Sequence, residues 1–157
     1  METHEVAMTV LMTPDMANFS GKVHGGALLK LLDQVAYACA SRYAASYVVT
    51  VSVDQVVFRQ PIHVGELVTF LGSVNHVGTS SMEVGIKVLA ENIQTRATRH
   101  VNSCFFTMVA VDEHGGKNRV AALELRTPEQ HRRSRQAVLR RKLREELAAR
   151  FASAAQS

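Results

Sequence analysis

Hydrophobic and polar positions along the chain follow two different periods, and these predict its secondary structure. Residues 47–58 alternate, with Val49, Val51 and Val53 separated by polar residues. A period of two over this length is typical of a β-strand. Four further segments are predicted to be strands: residues 5–12, 67–76, 82–91 and 96–112.

A different pattern follows the first strand. Residues 27–40 are apolar nearly all round, which predicts a helix, extending to about Ala44, that is buried by its surroundings. Asp33 lies in the middle of this helix, although an unpaired buried charge costs on the order of several kcal/mol. Just upstream, residues 18–26 form a glycine-rich loop that exposes backbone N–H groups. An ionisable side chain in such a helix, beside such a loop, indicates a reaction centre.

The order of elements predicts the fold class. One strand, a long apolar helix and four successive strands are typical of an α+β fold, with one helix against an antiparallel sheet. A helix that is apolar all round needs more cover than one flat sheet face, so either the sheet curls around it or a second subunit closes the open side. Thr127, as N-cap, and Pro128, in the first turn, predict a C-terminal helix packed outside the core. We therefore divide the chain into one domain, residues 1–127, and a basic C-terminal helix and tail, residues 128–157.

The positive charge is concentrated in that C-terminal segment. The chain has a net charge of +4, and residues 128–150 contain eight basic and three acidic residues, so the remainder is close to neutral. A basic helix can bind nucleic acid, an acidic membrane surface or a phosphorylated ligand, but a solvated helix face is the commoner case. The basic residues have no interleaved aromatics and belong to no recognisable nucleic-acid module, so we expect no nucleic-acid partner.

Composition limits the remaining classes of protein. Apolar residues make up 46% of the chain, enough for a core, and no run approaches the roughly 18 apolar residues of a membrane span. Cys39 and Cys104 are predicted to be reduced core residues, and the scattered histidines lack metal-ligand spacing. The acidic N-terminus lacks a signal-peptide pattern. We expect a cytoplasmic protein with no metal, no cofactor and no membrane span.

Several motifs resemble those of one known family. Residues 13–18, Thr-Pro-Asp-Met-Ala-Asn, and residues 21–33, Gly-Lys-Val-His-Gly-Gly-Ala-Leu-Leu-Lys-Leu-Leu-Asp, resemble the opening of hotdog-fold acyl-CoA thioesterases, in the acyl-CoA hydrolase branch. The resemblance covers most of positions 6–112. Its further motifs are residues 52–54, 58–61, 64–66 and 79–84.

This resemblance implies a fold, a reaction and an assembly. The fold is a five-stranded antiparallel sheet wrapped around a central helix, here with an additional C-terminal helix. The reaction is hydrolysis of a fatty acyl-CoA to free fatty acid and coenzyme A, so coenzyme A is part of the substrate. The family forms double-hotdog dimers, often assembled as a trimer of dimers, and we expect a homohexamer.

The resemblance also implies the catalytic pair. In two-domain relatives a catalytic asparagine comes from one hotdog unit and a catalytic aspartate from the other, and Asn18 and Asp33 match these two positions. A single-hotdog chain that keeps both is expected to build each site from Asn18 of one subunit and Asp33 of its neighbour. Asp33 can activate water as a general base or attack the thioester directly, and the sequence leaves both open.

The loop before the helix offers further candidates. Gly25 and Gly26 open the helix, where N–H groups lack intrahelical partners, so they are the expected oxyanion hole. His24 is expected to hold this loop and to touch the substrate. A serine-hydrolase triad is not expected, because the chain has no G-x-S-x-G motif.

Binding of coenzyme A needs cationic or N–H-rich surface for its phosphates. Thr79, Ser80 and Ser81 follow Gly78 into a strand at a position that the family uses near the nucleotide, although an ordinary hairpin loop explains them as well. The arginines with a suitable charge are Arg59, Arg99, Arg132 and Arg133.

Two alternatives to hydrolysis stay open. Hotdog hydratases and dehydratases also act on acyl thioesters, but they usually use a histidine paired with a carboxylate, and the Asn18 and Asp33 pattern fits hydrolysis better. A non-catalytic protein that binds acyl-CoA or a nucleotide through the basic helix is the other alternative.

Overall fold

The computed structural model describes residues 2–156, which form one five-stranded antiparallel sheet, two α-helices and a short 3-10 helix at Pro14–Met16. The strands lie in the order β1-β3-β4-β5-β2, so that β1 and β2 are the two edges. The α+β class and the five-stranded sheet with a central helix are confirmed. The elements are β1 (Glu5–Leu11), α1 (Gly25–Ala44), β2 (Tyr47–Asp54), β3 (Leu67–Val77), β4 (Ser81–Glu91), β5 (Thr98–Val111) and α2 (Pro128–Ala155).

Helix α1 lies against one face of the sheet, and the core is between them. The buried residues of α1 recur at helical spacing, so they form one face that packs on the sheet. Gly72 of β3 lets α1 approach closely, because a Cβ at this position would lie 3.2 Å from Val35 Cγ1. The buried face of α1 consists of Leu28, Leu32, Val35, Ala36, Cys39 and Ala40.

Strand β2 ends earlier than the alternation predicted. The expected strand over residues 47–58 stops at Asp54, because Gln55 has a φ of 46° and turns the backbone away from the ladder with β5. The apolar residues 56–58 therefore lie outside the strand. In the same way, Arg96, with a φ of 63°, belongs to the turn before β5 rather than to the strand.

Helix α2 packs on the opposite face of the sheet from α1. Its start confirms the prediction: the Thr127 side chain accepts from the Gln130 N–H, and the Gln130 side chain accepts from the Thr127 N–H. Arg140 of α2 donates two hydrogen bonds, of 2.7 and 2.9 Å, to the buried carboxylate of Glu83 on β4. Its guanidinium also lies 3.5 Å from the centre of the Phe105 ring on β5.

Candidate active site

The glycine-rich loop enters α1 through a cap made by His24. The His24 ring Nδ1 accepts a hydrogen bond from the Gly26 N–H at 2.9 Å, and the His24 backbone N–H donates to the carbonyl of Met16 at 2.7 Å. His24 therefore holds the loop and also uses the N–H of Gly26, which was expected to face the substrate. The Gly25 N–H has no hydrogen-bond partner within residues 2–156, so it is one donor that this helix start leaves available.

The Asn18 side chain is held in one orientation by its own loop. Its Oδ1 accepts from the Ser20 N–H at 2.9 Å, the Ser20 hydroxyl at 2.8 Å and the Lys22 N–H at 3.2 Å. Because backbone N–H groups can only donate, these contacts assign the oxygen to the loop side. The NH₂ group is left on the exposed side, where it can donate to a ligand.

Asp33 lies on an exposed part of α1, next to the edge strand β2, rather than buried within the protomer. Its Oδ1 accepts from the Thr50 hydroxyl at 2.6 Å. This bond holds the carboxylate in one orientation. Sequence reasoning missed Thr50, because alternation alone assigns it to the polar face of β2 and says nothing about its distance from α1.

Apolar side chains surround Asp33 on the protomer surface. Leu29 and Tyr37 lie one turn to either side on the same helix face and are 38% and 41% exposed. Tyr47 at the start of β2 contacts Tyr37 edge to face, with ring centres 6.0 Å apart, and is 61% exposed. A carboxylate and a hydroxyl thus lie within an exposed apolar patch at a sheet edge, which is typical of a surface that another protein covers.

One protomer does not bring all the predicted groups together. Asp33 follows Gly25 by eight residues, which places it about 12 Å along the helix axis. Asn18 lies on the loop beyond that end of the helix, and no hydrogen bond joins it to Asp33 within residues 2–156. The protomer therefore presents two half-sites, one with Asn18 and Gly25 and the other with Asp33 and Thr50.

A small apolar cavity of about 160 Å³ lies beside Gly25. Val23, Leu28 and Phe58 contribute apolar walls, and Asn102 of β5 contributes a polar one. The Asn102 NH₂ group donates to the carbonyl of Val57 at 2.6 Å, which ties the segment after β2 to the sheet. The cavity can accept an apolar group bound near the Gly25 N–H.

The turn between β3 and β4 borders a larger cavity of about 570 Å³. Of the three predicted residues, Thr79 lines this cavity, and Ser80 and Ser81 lie in the hairpin beside it. Arg119 also lines it and was not predicted, because it lies 40 residues along the chain in a segment without regular structure. The cavity therefore combines the Thr79 hydroxyl with a cation.

The register places this hairpin near the Asp33 half-site. Thr50 of β2 pairs with Met108 of β5, and Met108 pairs with Met82 of β4. Neighbouring strands lie about 4.8 Å apart, so the start of β4 is about 10 Å from Thr50. Both features therefore lie at the same end of the sheet.

Arg99 was predicted to bind phosphate, but it is engaged within the protein. It donates to the buried Glu66 carboxylate at 2.5 and 2.9 Å and to the carbonyl of Pro61 at 2.7 Å. These hydrogen bonds hold the pKa of the Glu66 carboxyl below its ordinary value. Arg99, on β5, thus holds in place the turn that precedes β3.

The other predicted arginines differ in their surroundings. Arg132 is exposed and Arg133 is half-buried, and both pair with Glu129 in the first turns of α2. Arg59 is exposed and has no ion-pair partner within residues 2–156, so it is the one whose charge is available.

The two cysteines do not offer a nucleophile. Both are buried, and burial raises the pKa of the Cys39 and Cys104 thiols to about 12, so neither is a thiolate at neutral pH. No three His, Cys, Asp or Glu side chains within residues 2–156 are placed to hold a metal ion. Neither α1 nor α2, as described, is long and apolar enough to cross a membrane.

Comparison with known proteins identifies the family. The model of the thioesterase superfamily matches residues 20–97. The chain is also similar to Protein VdlD of Helicobacter pylori, with 51% identity over 140 residues that cover 89% of this chain and 80% of that protein. That name states no activity.

Solved structures agree with the family match and add the reaction. A hexameric acyl-CoA thioesterase in its apo form is 35% identical, with a TM-score of 0.90 over 94% of each chain. The acyl-CoA hydrolase of Staphylococcus aureus, solved with butyryl coenzyme A, coenzyme A and coenzyme A disulfide, is 25% identical. Its TM-score is 0.85, over 99% of this chain and 96% of that one. The chain therefore belongs to the acyl-CoA hydrolases of the thioesterase superfamily and has their hotdog fold.

Proposed function

We propose that this acyl-CoA hydrolase releases a free fatty acid and coenzyme A at a site made by two copies of the chain. Asn18 and Gly25 come from one copy, and Asp33 and Thr50 come from the other. The observation that carries the proposal is the separation of the two half-sites within one protomer, together with the exposed apolar patch around Asp33.

The S. aureus hydrolase supports this choice of residues. Structures of that enzyme include variants in which an asparagine, an aspartate or a threonine is replaced by alanine. In that enzyme the aspartate follows the asparagine by 15 residues, and the threonine follows the aspartate by 17. The same intervals separate Asn18, Asp33 and Thr50 in this chain.

Each group has a role that its contacts allow. The thioester carbonyl oxygen accepts a hydrogen bond from the Gly25 N–H at the positive end of the α1 dipole. Negative charge that develops on this oxygen is stabilised there. Because Asn18 Oδ1 is occupied, its NH₂ group acts as a donor that orients the carbonyl or the attacking water. Asp33 takes a proton from water, the water oxygen bonds to the carbonyl carbon, and the C–S bond breaks to release the coenzyme A thiolate, which takes the proton back from Asp33. Thr50 aims the Asp33 carboxylate.

Direct attack by Asp33 is the other route, and it uses the same geometry. The carboxylate oxygen would bond to the carbonyl carbon, and water would then hydrolyse the resulting anhydride. A single turnover in ¹⁸O-water, followed by mass spectrometry, can identify direct attack. If water attacks the enzyme carbonyl of the anhydride, ¹⁸O enters the Asp33 carboxylate and the fatty acid keeps an unlabelled oxygen from Asp33. The general-base route, like attack of water on the acyl carbonyl of the anhydride, labels only the fatty acid.

The two cavities divide the remaining substrate. The 160 Å³ cavity beside Gly25 takes the part of the acyl group next to the reacting carbon. The 570 Å³ cavity at Thr79 and Arg119 takes the phosphates of coenzyme A, with Arg59 as a further cation at the rim of the site. The assembly that we propose is a trimer of such dimers, and the hexameric acyl-CoA thioesterase, which aligns with 94% of this chain, supports it.

Mixed dimers test whether the site needs two copies. Asn18→Ala and Asp33→Ala are each expected to be inactive, as measured by thiol release from a panel of acyl-CoAs. If each site takes Asn18 from one copy and Asp33 from the other, a mixed dimer has one intact site and one doubly altered site. Random pairing at equal amounts makes half of the dimers mixed, so about a quarter of wild-type activity is expected.

The mixing experiment has two controls. Different tags on the two variants allow the mixed dimer to be purified. The purified mixed dimer should show about half of the wild-type activity, because one of its two sites is intact. The double variant Asn18→Ala, Asp33→Ala co-expressed with wild type checks that subunits exchange, because this mixed dimer should have no intact site. Absence of any activity in the Asn18→Ala and Asp33→Ala mixture would place both residues of a site in one chain.

Asn18→Asp tests the donor role of the asparagine. Aspartate can still accept from the Ser20 and Lys22 N–H groups, so the loop is expected to keep its shape, but the ionised side chain has no donor. We expect kcat/KM to fall about as far as in Asn18→Ala, on the order of 100-fold. Retention of activity by Asn18→Asp would contradict a donor role.

A further inference from the structure

Helix α2 crosses the outer face of the sheet toward the β2 edge. Arg140 pairs with Glu83 on β4, and one turn later Arg144 pairs with Asp54 on β2. Strand β2 is the edge of the sheet, so the protomer offers no strand beyond Asp54 for the next turns of α2 to pack on.

The face of α2 that packs on the sheet continues past this edge. Ala137 is buried, and Arg140 and Arg144 contact the sheet, at intervals of three and four residues. The same three-and-four spacing continues through Leu147 and Phe151, which are 55% and 68% exposed. A helix face that is used by the sheet up to Arg144 therefore becomes an apolar face without cover.

The projecting part of α2 is long enough to reach a second sheet. The eleven residues 145–155 extend about 16 Å, and strands are spaced about 4.8 Å apart, so they can cover two to three further strands. Residues 145–156 are all exposed in the protomer. We call residues 145–155 the α2 extension.

Strand β2 has an apolar residue on the same outer face that its own α2 leaves uncovered. Val48 is buried in the core and Thr50 contacts Asp33 of α1, so Val49 between them points to the outer face. Val49 is 37% exposed. Asp54, near the other end of β2, is the residue that its own α2 reaches.

We propose that the α2 extension packs on the outer sheet face of a second copy of this chain, across the β2 edge. Leu147 and Phe151 then contact the β2 strand of that copy around its Val49. An antiparallel arrangement of two β2 strands about a two-fold axis near their middle brings the Asp54 end of one beside the Val49 end of the other. By the same symmetry each copy covers the other, so the two extensions close the seam that contains the Asp33 half-sites.

This inference rests on the two-copy site proposed above and adds the contacts that hold the two copies together. The apolar patch around Asp33, with Leu29 and Tyr37, lies on the α1 side of the β2 edge, and the α2 extension lies on the opposite side. A second copy at this edge covers both surfaces at once. A partner of any other kind would leave the Asp33 half-site without Asn18.

A matched pair of substitutions tests the contact. Leu147→Glu places a charge on the proposed contact face, whereas Leu139→Glu places it at a leucine with the same 55% exposure. Leu139 is one residue from Arg140, about 100° around the helix from the sheet-facing side. Dissociation is measured by analytical ultracentrifugation over a range of protein concentrations, with circular dichroism as a check of folding.

The proposal predicts a difference between the two variants. Because each dimer contains the substitution twice, Leu147→Glu is expected to raise the dimer dissociation constant about 100-fold, and Leu139→Glu to change it less than about threefold. Thiol release by Leu147→Glu should be lost on dilution and recovered at high protein concentration. A chain that ends at Arg144 should behave in the same way.

Other outcomes overturn the inference in distinguishable ways. If Leu147→Glu and Leu139→Glu both assemble like wild type, the α2 extension is not at the interface, while the proposed function stands as long as wild type is active only as a dimer or larger. If Leu147→Glu gives stable dimers in place of hexamers, the extension contacts a third copy rather than the β2 partner. If wild type is active as a monomer, the two-copy site itself is wrong.

Discussion

Two carboxylates of this chain, Glu66 and Asp33, lie in opposite kinds of surroundings. Glu66 is 6% exposed and receives two hydrogen bonds from Arg99 and one from the His63 N–H. Asp33 lies at the protomer surface, with the Thr50 hydroxyl as its hydrogen-bond donor within residues 2–156.

We interpret this difference as that between a structural carboxylate and the catalytic one proposed above. The lone pairs of Glu66 are occupied by groups that cannot leave without cost, so it fastens one segment of the chain to another. Asp33 has one oxygen left for water or a thioester. Its hydrogen bond from Thr50 fixes the direction of the carboxylate without neutralising its charge. In the mechanism proposed above, the buried carboxylate stabilises the fold, and the exposed one faces the substrate.

The largest effect that tests this comparison is expected from Asp33→Asn. The amide has the same shape and can still accept from Thr50, but it can neither take a proton from water nor attack a thioester. We expect kcat/KM for acyl-CoA to fall by about 10³-fold or more, with a melting temperature close to that of wild type. Thiol release and thermal unfolding measure the two quantities, and a large loss of stability would assign Asp33 a structural role.

Glu66→Gln is expected to show the reverse pattern. It leaves the Arg99 guanidinium beside an uncharged group, and removing one partner of a buried pair is strongly destabilising. Arg99 is partly exposed, so we expect a loss of about 2 kcal/mol in the free energy of unfolding. Activity per folded molecule should stay within about threefold of wild type.

Chemical denaturation and initial rates measure the effect of Glu66→Gln. Arg99→Gln should lose a similar amount of stability, because it removes the other half of the same pair. If Arg99→Gln instead raised the KM for acyl-CoA without a loss of stability, that result would support the phosphate-binding role that the sequence suggested for Arg99.

Sequence reasoning found Asp33 but not its surroundings. An aspartate within an apolar helix is visible in the sequence, and so are the glycines and the asparagine before it. The helix is apolar all round because one face packs in the protomer, and the other, with Leu29 and Tyr37, lies exposed beside the edge strand. The sequence predicted a helix that is buried on all sides, but within the protomer only one face of α1 is buried.

The residues that sequence reasoning missed or misplaced depend on contacts between distant segments. Thr50 matters because the crossing of α1 and β2 brings it to Asp33, 17 residues away. Arg99 looked available for phosphate because Glu66, its partner, lies 33 residues away. Gly26 looked like an oxyanion donor because a sequence does not show that His24 Nδ1 faces its N–H.

The Thr50 hydroxyl gives a smaller and more specific test of the reactive carboxylate. Thr50→Val keeps the shape of the side chain and removes its donor, so the Asp33 carboxylate loses its fixed direction. We expect kcat to fall about 10- to 100-fold, with KM nearly unchanged, because the hydroxyl orients the reacting group rather than binding the substrate. Thr50→Ser should recover most of the lost activity. Equal rates for Thr50→Val and Thr50→Ser would exclude a role of this hydrogen bond in catalysis.

The smallest effect concerns the pH dependence of stability, and it comes from Glu66 alone. Arg99 lowers the pKa of Glu66 in the folded state below its ordinary value of 4.5, so the folded state favours the ionised form. The stabilisation is complete above pH 4.5 and is lost as the pH falls through the folded-state pKa. Unfolding of wild type and Glu66→Gln should therefore differ most near neutral pH and converge in acid. A difference that persisted unchanged to low pH would mean that Glu66 stabilises the turn through its shape and not through its charge.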